Sequence, residues 1–478
     1  MQFRALGAAH VVAVLAIVFL AAYFFYHWSD SLRTEFTADD LMNCHRAYFR
    51  PWSALVMDNL LFFRPTPVYR PLPALAYKAF FTAWGFDLWA FRLFVLAVAA
   101  MNVYLVGLVA YRLTGWREAG LISALLFAWH EQYAPLLYNT GQIYDAFCFL
   151  FYFAALVWSS GGREETQGAR RLVVVVVLLV LALNSKEMAV SLPVMILLWD
   201  LWVRPRDGGL ARSMRFWFRQ GRTAFVTAAV VLLFLLGRMR GPESLSQVAA
   251  YRPEISVANY FTSAGYYLGE AIYHKLKLGP GLAAAVLCAL LAAAVAMRSR
   301  ALIWSWALFT IGMLPLAFIP HRGLAAAVIP YAGLVIYVAV LLAGGRSRLL
   351  EAAGLQGARM QLCSQVAVFV AAAALVLQAH GRAWSFRQAL SEHEYSPIRT
   401  VREQLRALYP SLAPATRLLF VSDPFGNTYD IVFLVHLAYR NSKIEVHQLW
   451  RLKPAPDFAS YDYVVEWCDG RFVELMRR

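Results

Sequence analysis

The sequence predicts an α-helical polytopic membrane protein of about eleven spans with a small α/β domain at its C-terminal end. Three observations carry that expectation. Hydrophobic residues make up 60% of the 478 and charged residues only 15%, whereas a soluble domain is about a quarter charged. Basic residues sit in short segments between long apolar runs, as in loops that fix cytoplasmic ends. After residue 381 the composition changes, charges return and apolar runs shorten. The net charge of +15 is therefore read as orientation signals and lipid contacts; membrane lipid is the expected partner, and no nucleic acid is.

The elements follow in order. Residues 5–28 are an apolar run behind Arg4 that ends in Tyr23, Phe24, Phe25, Tyr26, His27 and Trp28. That is an uncleaved span with an aromatic belt at its outer end, not a signal peptide with a small-residue cleavage site. A long outward segment, 29–87, follows, and the next span is 88–111. Between Arg117 and Arg163 the run 118–160 is broken by the polar stretch His130 to Gln142; with both flanks basic, the chain crosses twice. The same parity, between Arg170–Arg171 and Arg204–Arg222, puts a turn in 172–203 at Asn184, Ser185, Lys186 and Glu187. Each arm there falls short of the roughly 20 residues a lone span needs, so neighbouring helices shield it. Further spans are expected at 223–239, 281–297, 301–319, 324–343 and 362–380. Tyr260 to Leu276 reads as an amphipathic stretch in a second outward loop, 240–280. Residues 1–381 thus form the membrane domain and 382–478 a small extracytoplasmic one, with strands at Arg417–Val421, Ile444–Leu449 and Tyr461–Trp467 and a helix at Asp430–Tyr439.

Five cysteines are scattered with no CxxC pair, which removes zinc and thioredoxin-type readings. Cys148, Cys288 and Cys363 fall in apolar runs; Cys44 and Cys468 share the outward side, where an oxidising compartment allows a bridge.

Candidate chemistry gathers on that same side. Asp39 and Asp40 lie just past the first span, where adjacent carboxylates raise each other's proton affinity and suit a general base or a divalent metal. The plainer reading is an N-cap, since Thr37 and Asp39 precede an apolar-periodic stretch. Tyr69 and Arg70 precede Pro71 in a segment rich in aromatics, and Arg70 offers a bidentate fork to phosphate or carboxylate, or simply a headgroup contact. His130 and Glu131, with Tyr144 and Asp145 beyond, mark one hairpin tip; Lys186 and Glu187 mark the next; His321 and Arg322 mark a third. Ionisable groups at membrane depth tend to mark sites, although turns also hold ordinary loop residues. No GxxxxGK, GxGxxG, HExxH or GxSxG motif is present, so no site for a cytosolic nucleotide is evident, and a lipid-linked donor needs none.

Asp39-Asp40, then Tyr69-Arg70-Pro71-Leu72, then Asn184-Ser185-Lys186-Glu187-Met188 leading to Leu192-Pro193 and Asp200, occur in this order. The ordered set, over roughly residues 5–345, resembles the GT-C superfamily of polytopic membrane glycosyltransferases, in particular the transmembrane tetratricopeptide-type O-mannosyltransferases. The resemblance implies transfer of a sugar from a polyprenyl-phosphate or -diphosphate carrier to an acceptor (protein, lipid or glycan) on the extracytoplasmic face. It implies Asp39 and Asp40 as source of the base, and Arg70, Lys186, Arg322 and His321 as cations for the leaving phosphate. Glu187, His130, Glu131, Tyr69 and Asp145 would support them. By the same analogy the protein belongs in a cell membrane, the bacterial inner membrane with its site facing the periplasm. Two departures stand: tetratricopeptide repeats are absent, and Ala327-Val328-Ile329-Pro330-Tyr331 lacks the arginine of the family's Arg-Tyr element. A flippase or transporter would instead spread polar groups through the bundle depth, and a non-catalytic assembly protein would have no need of polyprenyl phosphate.

Overall fold

The computed structural model describes residues 2–64, 70–128, 130, 134–161, 168–203, 221–238, 252–273, 278–392, 397–426, 428–454 and 456–478. The chain opens with α1 (Gln2–Trp28). Only 17% of its most apolar window is buried, which suits a helix lying against lipid. It docks at its end, where Trp28 is fully buried and its indole N–H donates to the Ala128 carbonyl at 3.1 Å.

The long segment that follows folds into α2 (Ala38–Tyr48), α3 (Trp52–Leu60) and α4 (Pro71–Trp84). Prolines set the starts of the last two: Pro51 at the N-cap of α3 and Pro71 at the first position of α4, where a missing N–H costs nothing. The bundle continues as α5 (Trp89–Thr114), α6 (Arg117–Ala128), α7 (Ala134–Tyr138), α8 (Ile143–Ser160), α9 (Gly168–Ser185) and α10 (Leu192–Leu198). Then come α11 (Arg222–Arg238), α12 (Val257–Ala271), α13 (Pro280–Ala296), α14 (Arg300–Gly312), α15 (Leu314–Ala317), α16 (Val328–Ala352) and α17 (Ala358–Glu392).

Among the described residues seven helices are long and apolar enough to cross a membrane, and 187–198 and 280–296 form shorter apolar ones. The expected break in 172–203 is found: α9 stops at Ser185 and Lys186 is extended (φ −162°, ψ 151°). The span expected at 301–319 is found at Arg300–Ala317, with a turn at Met313 between α14 and α15. Of the amphipathic stretch expected at 260–276, residues 260–271 belong to α12, which packs against α13 and α15, and 274–276 lie outside the described residues. Helix α17 runs unbroken past residue 381 to Glu392, so the compositional change there falls inside a helix.

Lipid supplies no hydrophobic drive between spans, so close packing through small residues has to. A Cβ on Gly120 of α6 would stand 2.8 Å from the Gly107 carbonyl of α5, and one on Gly333 of α16 would stand 2.8 Å from the Ser305 carbonyl of α14.

The C-terminal part comprises α18 (Pro397–Leu408), β1 (Arg417–Phe420), α19 (Asp430–Ala438), β2 (Glu445–Gln448), β3 (Tyr463–Cys468) and β4 (Arg471–Arg477). The sheet order is β2-β1-β3-β4, parallel except for β4, which pairs antiparallel with β3. The three expected strands and the helix are present; β4 is an addition. Both candidate bridge cysteines are free: Cys44 is buried within α2 and Cys468 is exposed at the end of β3, so the bridge allowed by the sequence is not formed.

This unit is tied to the segment after α1. Helix α19 packs on α2, and Arg399 ion-pairs with Glu35. His45 Nε2 lies 2.9 Å from His436 Nδ1, and His436 Nε2 lies 2.9 Å from the Ile444 carbonyl. A carbonyl only accepts, so His436 donates through Nε2 and its Nδ1 accepts from His45. Burial and the neighbouring His436 and Arg46 charges lower the His45 pKa from 6.5 to about 4; burial lowers that of His436 as well. The folded junction therefore prefers both rings neutral. Its contribution is complete above pH 6.5, where the unfolded rings are also neutral, and is lost as pH falls towards 4. The thermal unfolding temperature of the full chain is expected to drop across that window, and to drop less in a His45→Phe/His436→Phe variant. Overlapping pH profiles would remove the pair from the account.

Candidate active site

The acidic pair is built by the start of α2. Thr37 caps the helix in a capping box: its hydroxyl accepts from the Asp40 N–H at 3.1 Å, and its own N–H donates to Asp40 Oδ2 at 2.9 Å. Adjacent helical positions point about 100° apart, so the two carboxylates have separate surroundings. Asp40 is fully buried and also accepts from the Thr140 hydroxyl and from the Arg92 guanidinium, 3.4 Å away. Burial pushes its carboxyl above the usual range, against the opposing pull of Arg92 and of the Thr140 and Thr37 donors. Asp39 is only half-buried and accepts from the Asn139 amide at 3.2 Å.

Asn139, Thr140 and Gly141 lie against this helix start. Asn139 Oδ1 accepts from the Thr37 hydroxyl at 3.0 Å and from the Gly141 N–H at 2.7 Å, and the Tyr77 hydroxyl donates to the Thr140 carbonyl at 2.7 Å. Gly141 faces Asp39 so closely that a Cβ there would stand 2.4 Å from the Asp39 Cβ. Tyr77 is pushed well above the ordinary phenol range by burial, then by the charges of Asp40, Tyr144 and, less, Asp39. The next group follows a few residues further along the chain.

That group centres on Tyr144, in the first turn of α8. The Arg70 guanidinium lies 3.7 Å from the centre of its ring and Lys186 Nζ 5.3 Å from it. Lys186 ion-pairs with buried Asp145, and Arg70 approaches Glu187 at 3.9 Å. Lys186 is placed by the break after α9, which is held in turn by Asn184, donating to the Asn59 carbonyl at 2.9 Å. Two cations and two carboxylates balance here, so an incoming phosphate meets cations already held by acids.

His130, His321 and Arg322 form another group around α12. His130 stacks on Tyr273 at 4.4 Å and reaches the Ala271 carbonyl at 3.2 Å. His321 is exposed and stacks on Tyr266 at 4.3 Å; burial of its ring face lowers its pKa. The Arg322 N–H donates to the Tyr267 hydroxyl at 3.4 Å. The described contacts gather Asp39 and Asp40 on the Asn139–Gly141 turn, gather Arg70, Asp145, Lys186 and Glu187 around Tyr144 just beyond it, and gather His130, His321 and Arg322 elsewhere. Tyr69 and Glu131 lie outside the described residues. Among those residues no set of three His, Cys, Asp or Glu side chains is placed to hold a metal ion.

The sequence reading missed Arg92, Asn139, Thr140 and Tyr77. Arg92 had a signal, a lone cation near the start of a 26-residue apolar span; Asn139 and Thr140 fall inside the polar stretch His130 to Gln142, and Tyr77 had none. It also missed Asp430 at the start of α19, which accepts from the Thr428 hydroxyl at 2.7 Å. Burial raises its pKa, against the Thr428 bond and with a smaller push from the charge of Asp39; helix α19 packs on α2, which carries the acidic pair.

Lys186→Met would leave the buried Asp145 charge without its ion partner, an effect of about 3–5 kcal/mol in comparable buried pairs. The expected result is a marked fall in the melting temperature of the detergent-solubilised chain, mostly recovered by adding Asp145→Leu. A single variant that melts with wild type would show that the pair does not hold the break.

No family model and no curated protein matches the sequence. Among solved structures the chain is similar to ArnT from Cupriavidus metallidurans in the apo state, with 17% identity, a TM-score of 0.53 and coverage of 96% of this chain and 94% of that one. It is likewise similar to that protein bound to undecaprenyl phosphate, with 16% identity, a TM-score of 0.55 and coverage of 95% and 93%. Identity this low speaks to the fold, and it does so along nearly the whole of both chains. The protein is a multi-pass, mostly helical membrane protein whose fold is similar to that of ArnT, carrying a small sheet-containing unit at its C-terminal end.

Proposed function

We propose that the chain is a GT-C-type membrane glycosyltransferase that moves a sugar from a polyprenyl-phosphate-linked donor to an acceptor on the extracytoplasmic face. The observation that carries this reading is the pair of cations, Arg70 and Lys186, gathered on Tyr144, together with a half-exposed carboxylate, Asp39, held by Asn139 a few residues before that tyrosine in the chain. The likeness to a fold that in one solved structure holds undecaprenyl phosphate supports the choice of donor.

In this proposal Asp39 is the base and Asp40 its anchor. Asp40 is sealed among Thr37, Thr140 and Arg92, out of reach of an acceptor, and its burial raises its proton affinity. Asp39 takes the proton of an acceptor hydroxyl, the freed oxygen bonds to the anomeric carbon, and the bond from that carbon to the phosphate oxygen breaks with inversion. The polyprenyl phosphate leaves with the bonding pair. Arg70 and Lys186 meet the charge that grows on it, exchanging part of their contact with Glu187 and Asp145 for the phosphate. His321 and Arg322, exposed and half-buried beside α12, are candidates for the carrier's approach path. Residues 29–87 would then be the catalytic segment of a membrane domain spanning 1–381, and 382–478 an extracytoplasmic unit, in the bacterial inner membrane with the site facing the periplasm.

The test is sugar transfer in native membranes from a radiolabelled polyprenyl-phosphate donor. Asp39→Asn is expected to lower the rate by about 10²–10⁴, the usual worth of a general base, while melting with wild type. Arg70→Gln is expected to weaken undecaprenyl phosphate binding about tenfold, the effect of losing one charged contact of about 1.4 kcal/mol. Full transfer by Asp39→Asn would remove the base role, and unchanged binding by Arg70→Gln would remove the phosphate role.

A further inference from the structure

A cavity of about 500 Å³ lies where α4 and the loop after it meet α18 and the end of α19. Its walls include Phe81, Trp84 and Phe86 from one side and Arg402, Arg406 and Arg440 from the other. Three guanidiniums thus share one hollow whose single acid among the lining residues is Glu403, with its side chain 64% exposed and 3.9 Å from Arg402. The arginines are aimed by contacts that leave donors to spare. Arg402 lies over the Phe86 ring at 4.7 Å, and Arg406 donates one N–H to the Ala438 carbonyl at 2.6 Å. Arg440 approaches Gly85 so that a Cβ there would stand 3.4 Å from its Nη2; Gly85 also has φ +59°, a left-handed turn that suits glycine. A guanidinium carries five N–H donors in a fork matched to phosphate oxygens.

The cavity sits at a defined level. Gly85 and Phe86 immediately precede the span Trp89–Thr114, and Trp84 and Trp89 are 44% and 51% exposed. Large amphipathic rings at a span end mark the headgroup layer of the bilayer. Three cations beside aromatic rings at a span end suit lipid phosphates.

We propose that this hollow is a binding site for the phosphate headgroup of an anionic phospholipid from the leaflet on the side of the C-terminal unit. The lipid seats that unit on the bilayer, its phosphate held by Arg402, Arg406 and Arg440 while Trp84 and Phe86 pack on its glycerol backbone. The site is independent of the glycosyl-transfer reading, because none of these residues belongs to the Asp39, Arg70 and Lys186 group.

The test uses the full chain in nanodiscs containing a phosphatidylglycerol with a photoreactive headgroup, read by mass-spectrometric mapping of the labelled peptides. A phosphatidylcholine probe and free glycerol phosphate as competitor form the other arms. Labelling of peptides containing 81–86 and 402–406 is expected with the anionic probe, reduced about fivefold per arginine removed and resistant to millimolar glycerol phosphate. Arg406→Gln loses a contact with Ala438 and risks the fold, so Arg440→Gln, which has no such bond, is measured alongside, with melting temperature as control. Equal labelling by both lipids, or labelling unchanged in a well-folded Arg440→Gln, overturns the site. Displacement by glycerol phosphate makes the hollow a soluble-phosphate site and overturns the lipid.

Discussion

The buried carboxylate of Asp40 is the constraint around which this end of the molecule is arranged. A charge sealed from water must be met by donors from several directions. Here they come from three parts of the chain: the turn before α2 supplies Thr37, the loop before α8 supplies Thr140, and the start of α5 supplies Arg92. Arg92 also donates to the Glu35 carbonyl at 2.8 Å, tying α5 to the link between α1 and α2. One side chain thereby joins the start of α2, the loop before α8 and the start of α5. Loss of Asp40 would be felt at the site without Asp40 touching a substrate.

A second layer of positioning comes from paired charges at membrane depth. Asp145 and Lys186 neutralise each other where α8 meets the break after α9. At the opposite kind of helix end, Arg346 of α16 forks onto Glu118 of α6 and also reaches Gln361 and Ser364 of α17. Each pair closes a place where polar backbone or an inserted charge would otherwise face lipid. The rest of the bundle depends on shape, with glycine contacts that let α5 approach α6 and α14 approach α16.

The C-terminal unit is joined to the candidate site, not merely appended to it. Helix α19 lies on α2, and the histidine pair His45 and His436 spans the junction. Its parallel strands place the loop from β1 to α19 at the carboxyl edge of the sheet, where open α/β sheets usually bind ligands.

Much of this was legible from the sequence by itself. Long apolar runs, basic loops and aromatic ends sufficed for the membrane class and for most helix positions, because lipid forces every spanning backbone into a helix and the periodic signal is local. The break at Lys186 followed from charge parity alone, and the strands and helix of the C-terminal unit from local composition. Only the tertiary structure decided which ionisable groups meet. Asp39 and Asp40 are neighbours in the chain, yet one accepts from Asn139 at the edge of the site and the other is sealed against Arg92, some fifty residues away. His321 and Arg322 joined the aromatic group of α12, and Arg70 and Lys186 met on Tyr144. Such meetings depend on how helices pack at a distance, and packing through glycines and buried charge pairs leaves no periodic mark in the sequence.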